Sequence, residues 1–324
     1  MQFRTQIDPI DTPFTINHQD TVLLIGSCFS DHIFQQLSAV KFDTLNNPFG
    51  IQYDPYSISN TLYRIVENAT YLENDLFYER GLWHSWDHHS KYSGADKHDV
   101  LEFINIHFSS FRSALRNAKV LFITLGTSFY FELAEHEKKV ANCHKVPQAK
   151  FHRKMAQIGE LLPEWEKTIS ALRDFNPELQ IVFTVSPIRH IKNGLVDNQK
   201  SKSILRLLAS SFDNCSYFPS YEIMMDDLRD YRFYEKDMIH INDTAKQYIW
   251  DYFQNVFFEE NTIKINRMIR RINAAVLHKP FNPQTKEHQD FIRSSISNLK
   301  EVQLKFPYLN FSNQMQAFRS QLVE

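Results

Sequence analysis

The chain has 324 residues, 43% of them hydrophobic, and a formal net charge of −2. That length admits one large α/β domain with an appendage, or two domains. The near-balanced charge gives no overall basic field for nucleic acid, and no apolar run reaches the roughly 20 residues of a membrane-spanning helix.

In chain order, the first strong signal is the unbroken apolar run Thr21–Ile25 closed by Gly26 (residues 21–26), the pattern of a buried parallel strand. Phe29 to Val40 follows as a helix, with Phe29, Ile33, Phe34 and Leu37 on one face and Ser30 or Asp31 near its start. After a loop at Asn46-Asn47-Pro48-Phe49-Gly50, helices are expected over 56–67 and 99–117. Lys119 to Leu125 is a second buried strand ending at Gly126. Residues 128–145 alternate like a hairpin around His136-Glu137-Lys138, and 152–175 reads as helix, restarted or kinked at Pro163. Gln180 to Val185 is a third buried strand ending at Ser186-Pro187, 198–210 a helix, and Cys215 to Phe218 a short fourth strand.

Strands alternating with helices over roughly 21–258 predict an α/β, three-layer parallel sheet, with reactive groups gathered at the carboxyl ends of the strands. Gly26-Ser27-Cys28, Gly126-Thr127-Ser128 and Ser186-Pro187 all fall there. Beyond about 260 the pattern changes to two amphipathic stripes, 262–278 and 286–305, split by Pro280 and Pro283. They predict a C-terminal helical hairpin, giving a main domain of 1–260 and a packed extension of 261–324. The cluster Lys264, Arg267, Arg270 and Arg271 lacks interleaved aromatic residues and reads as a solvated face.

Two motifs carry chemistry. Gly26-Ser27-Cys28 puts a hydroxyl and a thiol on a strand-to-helix turn, where the helix amino terminus offers N–H donors and is expected to lower a thiol pKa. Asp237-Met238-Ile239-His240 puts a carboxylate one turn before an imidazole, able to fix its tautomer and stabilise its protonated form. Asn242 or Asp243 would cap a helix beginning near Thr244. Ser27, Cys28, Asp237 and His240 are therefore the candidate catalytic residues, with the nucleophile open between Ser27 and Cys28.

With these motifs the chain resembles the GSCFA family, within the SGNH (GDSL-like) hydrolase superfamily. The resemblance rests on Gly26-Ser27-Cys28-Phe29-Ser30, Asn47-Pro48-Phe49-Gly50, Leu125-Gly126-Thr127-Ser128 and Asn142-Cys143-His144. Ser186-Pro187-Ile188-Arg189-His190 and Leu228-Arg229-Asp230-Tyr231-Arg232 complete it ahead of the Asp237/His240 block, so that most of 20–260 is covered. It implies an SGNH-hydrolase-like three-layer fold and acyl-ester chemistry, as an esterase, hydrolase or acyltransferase. The superfamily's Gly-Asp-Ser register falls on Gly26-Ser27-Cys28 and favours Cys28, while Ser27 serves if the turn is one residue tighter. Its Gly-x-Asn is replaced by Gly126-Thr127-Ser128, so the oxyanion site would draw on Gly50, Gly126, Ser128, Asn142 or His144, with Arg189 and His190 towards the substrate. Losing one such donor can lower turnover by ~10²–10³-fold. The alternative is therefore a catalytically degenerate scaffold that binds a carbohydrate or small metabolite.

No Walker A, GxGxxG or HExxH motif occurs, and neither a cofactor nor a metal is expected. Trp83-His84-Ser85-Trp86-Asp87-His88-His89 is too tightly spaced to converge on an ion and reads as an aromatic wall beside the substrate. Cys28, Cys143 and Cys215 form no close pair, and Met1 to Thr5 lacks the apolar core of a secretory leader. Free thiols in a reducing cytoplasm are expected, with a small-molecule or glycan ester as substrate, no nucleic acid and no membrane span. The oligomeric state is not legible.

Overall fold

The structure is a computed structural model that describes residues 4–323. The leader reading made on Met1 to Thr5 falls partly outside these residues.

β1 (Thr21–Gly26) is buried from Val22 onward, as its unbroken apolar run requires. α1 (Cys28–Ala39) begins where the Ser27 hydroxyl accepts the Phe29 N–H at 3.4 Å. The chain then gives β2 (Asp43–Asn46) and α2 (Pro55–Val66), the latter capped by Asp54 with proline in its first turn. β3 (Leu76–Glu79) and β4 (Leu82–Ser85) pair as a hairpin across Arg80 and Gly81, both at positive φ. α3 (Lys97–Leu115) leads into β5 (Val120–Leu125), buried throughout.

β6 (Phe129–Leu133), β7 (Lys139–Val140) and β8 (Phe151–Met155) form a separate three-stranded antiparallel sheet in the order β7-β6-β8. α4 (Ile158–Phe175), β9 (Gln180–Val185), α5 (Gly194–Ala209), β10 (Ser216–Phe218) and α6 (Ser220–Glu222) follow, the last widening into a π-turn over Ile223–Leu228. Asn242 caps α7 (Asp243–Phe257) through the Ala245 N–H. α8 (Glu260–Leu277), α9 (Lys286–Lys305) and α10 (Ser312–Arg319) end the described chain.

The main sheet runs β10-β9-β5-β1-β2, and every neighbouring pair is parallel. Its two faces are legible residue by residue, because alternate side chains point to opposite sides. Leu23, Ile25, Leu121, Ile123, Ile181 and Phe183 pack with residues of α2, α3, α4 and α5. Val22, Leu24, Phe122, Val182 and Phe218 pack with residues of α1 and α7. The architecture is thus three-layered, as expected. A third cluster, built on Ile265, Ile269, Ile292, Leu299 and Phe318, holds α8, α9 and α10 together. α8 and α10 meet the main sheet's flank through Arg270 to Gln36 at 2.8 Å, Asn273 to the Ala39 carbonyl at 2.9 Å and Lys41 to Gln314 at 3.1 Å.

From β1 the chain steps outward to β2, then returns past β1 to lay β5 on its other side. Strand order reverses between β1 and β5, which opens a crevice at their carboxyl ends. Gly26 is required there: its φ is +127°, and a Cβ would lie 2.1 Å from the Thr124 carbonyl oxygen.

Three expectations are corrected. Residues 151–155 are strand rather than the start of a helix, since Phe151 to Met155 pairs with Phe129 to Leu133. α4 starts at Ile158 and runs through Pro163, which lies early enough to lose one intrahelical bond without ending the helix. Helix α5 begins at Gly194, four residues ahead of the expected start.

Candidate active site

Cys28 is the first residue of α1 and is half-buried, whereas Ser27 is fully buried with its hydroxyl turned to the helix it caps. The turn is held from below by Asn47. Its side-chain oxygen accepts the Gly26 N–H at 2.7 Å, and its amide donates to Ser30 Oγ at 3.0 Å and Asp31 Oδ1 at 2.8 Å. Asn47 adopts φ +46° to do so, a conformation that asparagine tolerates better than most residues.

The helix start acts to lower the thiol pKa, as expected, but does not prevail. Burial pushes the Cys28 thiol up, and the Asp31 carboxylate one turn along adds to this. The N–H groups of Cys28 and Phe29 and the ammonium of Lys202 act in the opposite sense and are outweighed. Cys28 is therefore a protonated thiol at neutral pH that needs a base to react.

Asp237 and His240 come together as an ordered pair. Asp237 Oδ2 lies 2.6 Å from His240 Nδ1, and Asp237 Oδ1 accepts the N–H groups of Ile239 at 2.9 Å and His240 at 3.0 Å. These bonds hold the Asp237 carboxyl down to about 2. The hydrogen bond at Nδ1 leaves Nε2 as the free nitrogen of a half-exposed ring. Among the described residues no hydrogen bond joins Ser27 or Cys28 to His240.

A buried lysine at the strand ends was not foreseen from the sequence. Lys202, on α5, is fully buried, and its ammonium donates to the carbonyls of Gly126 and Ser186 at 2.7 Å each. It thereby ties the ends of β5 and β9 together. Burial pulls its pKa down to about 7, and the charge of Cys28 is felt in the opposite sense. His190, just past β9, feels the charges of both Lys202 and His240, and burial drops it to about 3. Its ring packs edge-on against Tyr53 at 5.4 Å, and its Nε2 has no partner. Tyr53 in turn feels the charge of Cys28. Tyr53 and His190 thus pack together past the β9 end, and Lys202 bonds the carbonyls at the ends of β5 and β9. Lys202 carried a faint sequence signal, because Asn198, Ser201, Lys202, Leu205 and Leu208 share one helical stripe and all are buried. Tyr53 carried none.

The remaining candidates divide by position. The Gly126 N–H donates to the Tyr53 carbonyl at 2.8 Å and the Gly50 N–H to the Asn47 carbonyl at 2.8 Å, so neither is free. Ser128 is fully buried; its N–H donates to Ser201 Oγ at 2.7 Å, and its own hydroxyl is unpartnered. Asn142 lines a cleft of about 820 Å³ together with Tyr53, His89, Cys143, Lys145, Arg153 and Lys192. Its side-chain oxygen accepts the His144 N–H at 2.8 Å. His144 is buried beside the β3–β4 hairpin, with Nε2 2.8 Å from the Ser85 carbonyl, and burial lowers it to about 4. Arg189 and His190 line an adjoining cleft of about 480 Å³ with Tyr53, Phe129, Phe131, Arg153 and Ile239. Arg189 donates to the Met238 carbonyl at 3.4 Å, which braces the Asp237–His240 loop.

The tryptophan- and histidine-rich segment is not an aromatic wall of these clefts. Trp86 stacks on Phe77 at 3.6 Å, Trp83 carries Lys97 over its ring, and His88 is buried against Phe49. His89 alone of that segment lines the larger cleft. Among the described residues no group of three His, Cys, Asp or Glu side chains is arranged to hold a metal ion. No helix among them is long and apolar enough to cross a membrane.

A central parallel sheet with helices on both faces, followed by C-terminal helices, defines the general class. Within it, the chain belongs to the GSCFA family, which matches residues 21–253, and the C-terminal domain of GSCFA domain proteins matches residues 269–324. No curated protein matches the chain. Solved structures similar to it include a carbohydrate esterase family 3 protein from Talaromyces cellulolyticus, at 9% identity and TM-score 0.35 over 78% of this chain and 99% of that one. A family 3 carbohydrate esterase from Clostridium thermocellum matches at 11% identity and TM-score 0.32, over 77% and 98%. An acetyl xylan esterase from the rumen bacterium Butyrivibrio proteoclasticus matches at 11% and 0.36, over 77% and 66%. These likenesses are loose and say nothing of this chain's activity.

Proposed function

We propose that the chain is an SGNH-like acyl hydrolase or acyltransferase in which Cys28 is the nucleophile, His240 the base and Asp237 its orienting carboxylate. The observation that carries this reading is the Asp237–His240 bond at 2.6 Å, which leaves Nε2 free on the loop braced against the β9 end of the same crevice. As Cys28 Sγ attacks the acyl carbon, His240 Nε2 takes the thiol proton. The carbonyl oxygen becomes an oxyanion facing the Cys28 N–H group at the helix start, the Phe29 N–H being held by Ser27. Collapse breaks the bond to the leaving alcohol or thiol, which takes the proton from the imidazolium, and a thioester remains on Cys28. Water or a second acceptor then releases the acyl group by the same steps in reverse. Ser27 is the cap rather than the nucleophile, and residues 261–324 are an extension packed on the main domain.

Short-chain ester and thioester substrates test the assignment. Cys28→Ala and His240→Ala should each lower turnover by ~10²-fold or more, while Ser27→Ala keeps most of it. Turnover of all three variants equal to the parent would remove these residues from catalysis. The raised thiol and the lack of a Cys28–His240 hydrogen bond favour a second reading, a degenerate scaffold that binds a carbohydrate or metabolite. Ligand-dependent melting with no turnover in the parent protein would select it.

A further inference from the structure

Two adjoining clefts, taken together as one depression, share Tyr53, Phe131, Ala141, Arg153 and Lys192 in their walls. Its charge is one-sided. Lys145 and Lys192 stand on the wall of the larger cleft, Arg189 and Lys192 on the smaller, and Arg153 between them. Among the described residues none of these four side chains is in an ion pair. Asp197 lies near enough to favour the charge on Arg153 without pairing with it. The acid that does line the depression, Asp54, is turned to α2, where its carboxylate accepts the Ser57 N–H at 2.9 Å and hydroxyl at 2.7 Å.

This excess is local, because the whole chain has a net charge of −2. Unpaired cations on low-dielectric walls focus a positive potential into the space they enclose. Beneath these walls Arg153 Nε and His190 Nε2 are buried without partners. The floor between the cations is aromatic, with Tyr53, Phe129, Phe131 and Phe151, and Arg153 lies flat over Phe129 at 4.1 Å. Arg153 also donates to Asn193, and Arg189 lies over Tyr234 at 4.0 Å, but neither has a counter-charge, and a neutral glycan or a plain acyl chain would supply none.

The geometry points to an anionic substrate: an ester or thioester whose apolar or aromatic part lies on the Phe129–Phe131 floor and whose carboxylate or phosphate is held by Lys145, Arg153 and Lys192. This inference rests on the acyl-transfer reading for the reacting bond, but the anion site itself is read from the cleft.

The two are separable by measuring binding in a protein that cannot form the thioester. Calorimetry on Cys28→Ala with phenyl phosphate, phenylsuccinate, benzyl alcohol and benzylammonium should find at least one anion bound ~10-fold or more tighter than the neutral and cationic compounds. Which anion wins tells phosphate from carboxylate. Adding Lys145→Glu and Lys192→Glu, two exposed positions that leave the fold intact, should weaken that anion by ~10-fold or more while benzyl alcohol changes little. Equal affinity for neutral and anionic compounds, or anion binding indifferent to the charge reversals, would overturn the site. Anion binding without turnover in the parent would leave it standing and remove the acyl-transfer reading instead.

Discussion

Ser27 and Cys28 are adjacent and chemically alike, yet the turn gives them different tasks. The Ser27 hydroxyl is fully buried and caps the helix, while Cys28 is its first residue and half-buried. Ser27→Ala should therefore destabilise the fold by about 1 kcal/mol, measurable by urea unfolding, with little change in turnover. Lys202 has a different signature. Its folded pKa of about 7 lies below its ordinary value of 10.5, so the folded protein binds fewer protons than the unfolded chain between those values. Stability should rise with pH across that window, by up to about 1.4 kcal/mol per pH unit. Lys202→Met lacks this slope, so the stability of the parent minus that of the variant should grow from pH 7 to pH 9. Parallel curves would show that Lys202 stays charged throughout. The sequence showed the His–Asp pair because both partners sit three residues apart in one loop. It showed Lys202 only as one member of an α5 stripe, because the carbonyls it bonds are brought together only by the folded sheet.

At the scale of elements, the buried strands were the most legible features, since β1, β5 and β9 each read as an unbroken apolar run. The elements missed were those without such a run. β2 is an edge strand exposed or half-buried along its length, and β8 sets His152, Arg153 and Lys154 between Phe151 and Met155, so that the antiparallel pairing with β6 defines it. The β6–β8 sheet matters because Phe129, Phe131, Phe151 and Arg153 build the cleft wall. The β1–β5 contact is equally demanding. Gly26→Ala combines positive φ with a Cβ 2.1 Å from a backbone oxygen that cannot move aside. We expect a loss of about 3 kcal/mol or more in chemical denaturation, and a near-neutral effect would mean that the strands are further apart than described.

Across the whole molecule, several histidines are buried in neutral form. His32 and His144 are lowered to about 4, His190 to about 3 and His88 well below its ordinary value, in each case chiefly by burial. Each has a folded pKa below its unfolded one, so the unfolded chain takes up protons first as pH falls from 6.5. Their combined effect is a stability that declines steadily from pH 6.5 towards pH 4, opposed in part by Asp54, whose carboxyl is raised to about 6. Thermal melting across this range should show the decline, and a flat profile would contradict the buried neutral state of these rings.

The central claim is that an acyl group passes through the sulfur at the start of α1. Mass spectrometry of the protein quenched in acid during turnover of p-nitrophenyl acetate tests it most directly. The account predicts an acetyl adduct on the peptide bearing Cys28, released by neutral hydroxylamine and absent from Cys28→Ala. Turnover without that adduct, or an adduct that persists in Cys28→Ala, would contradict it.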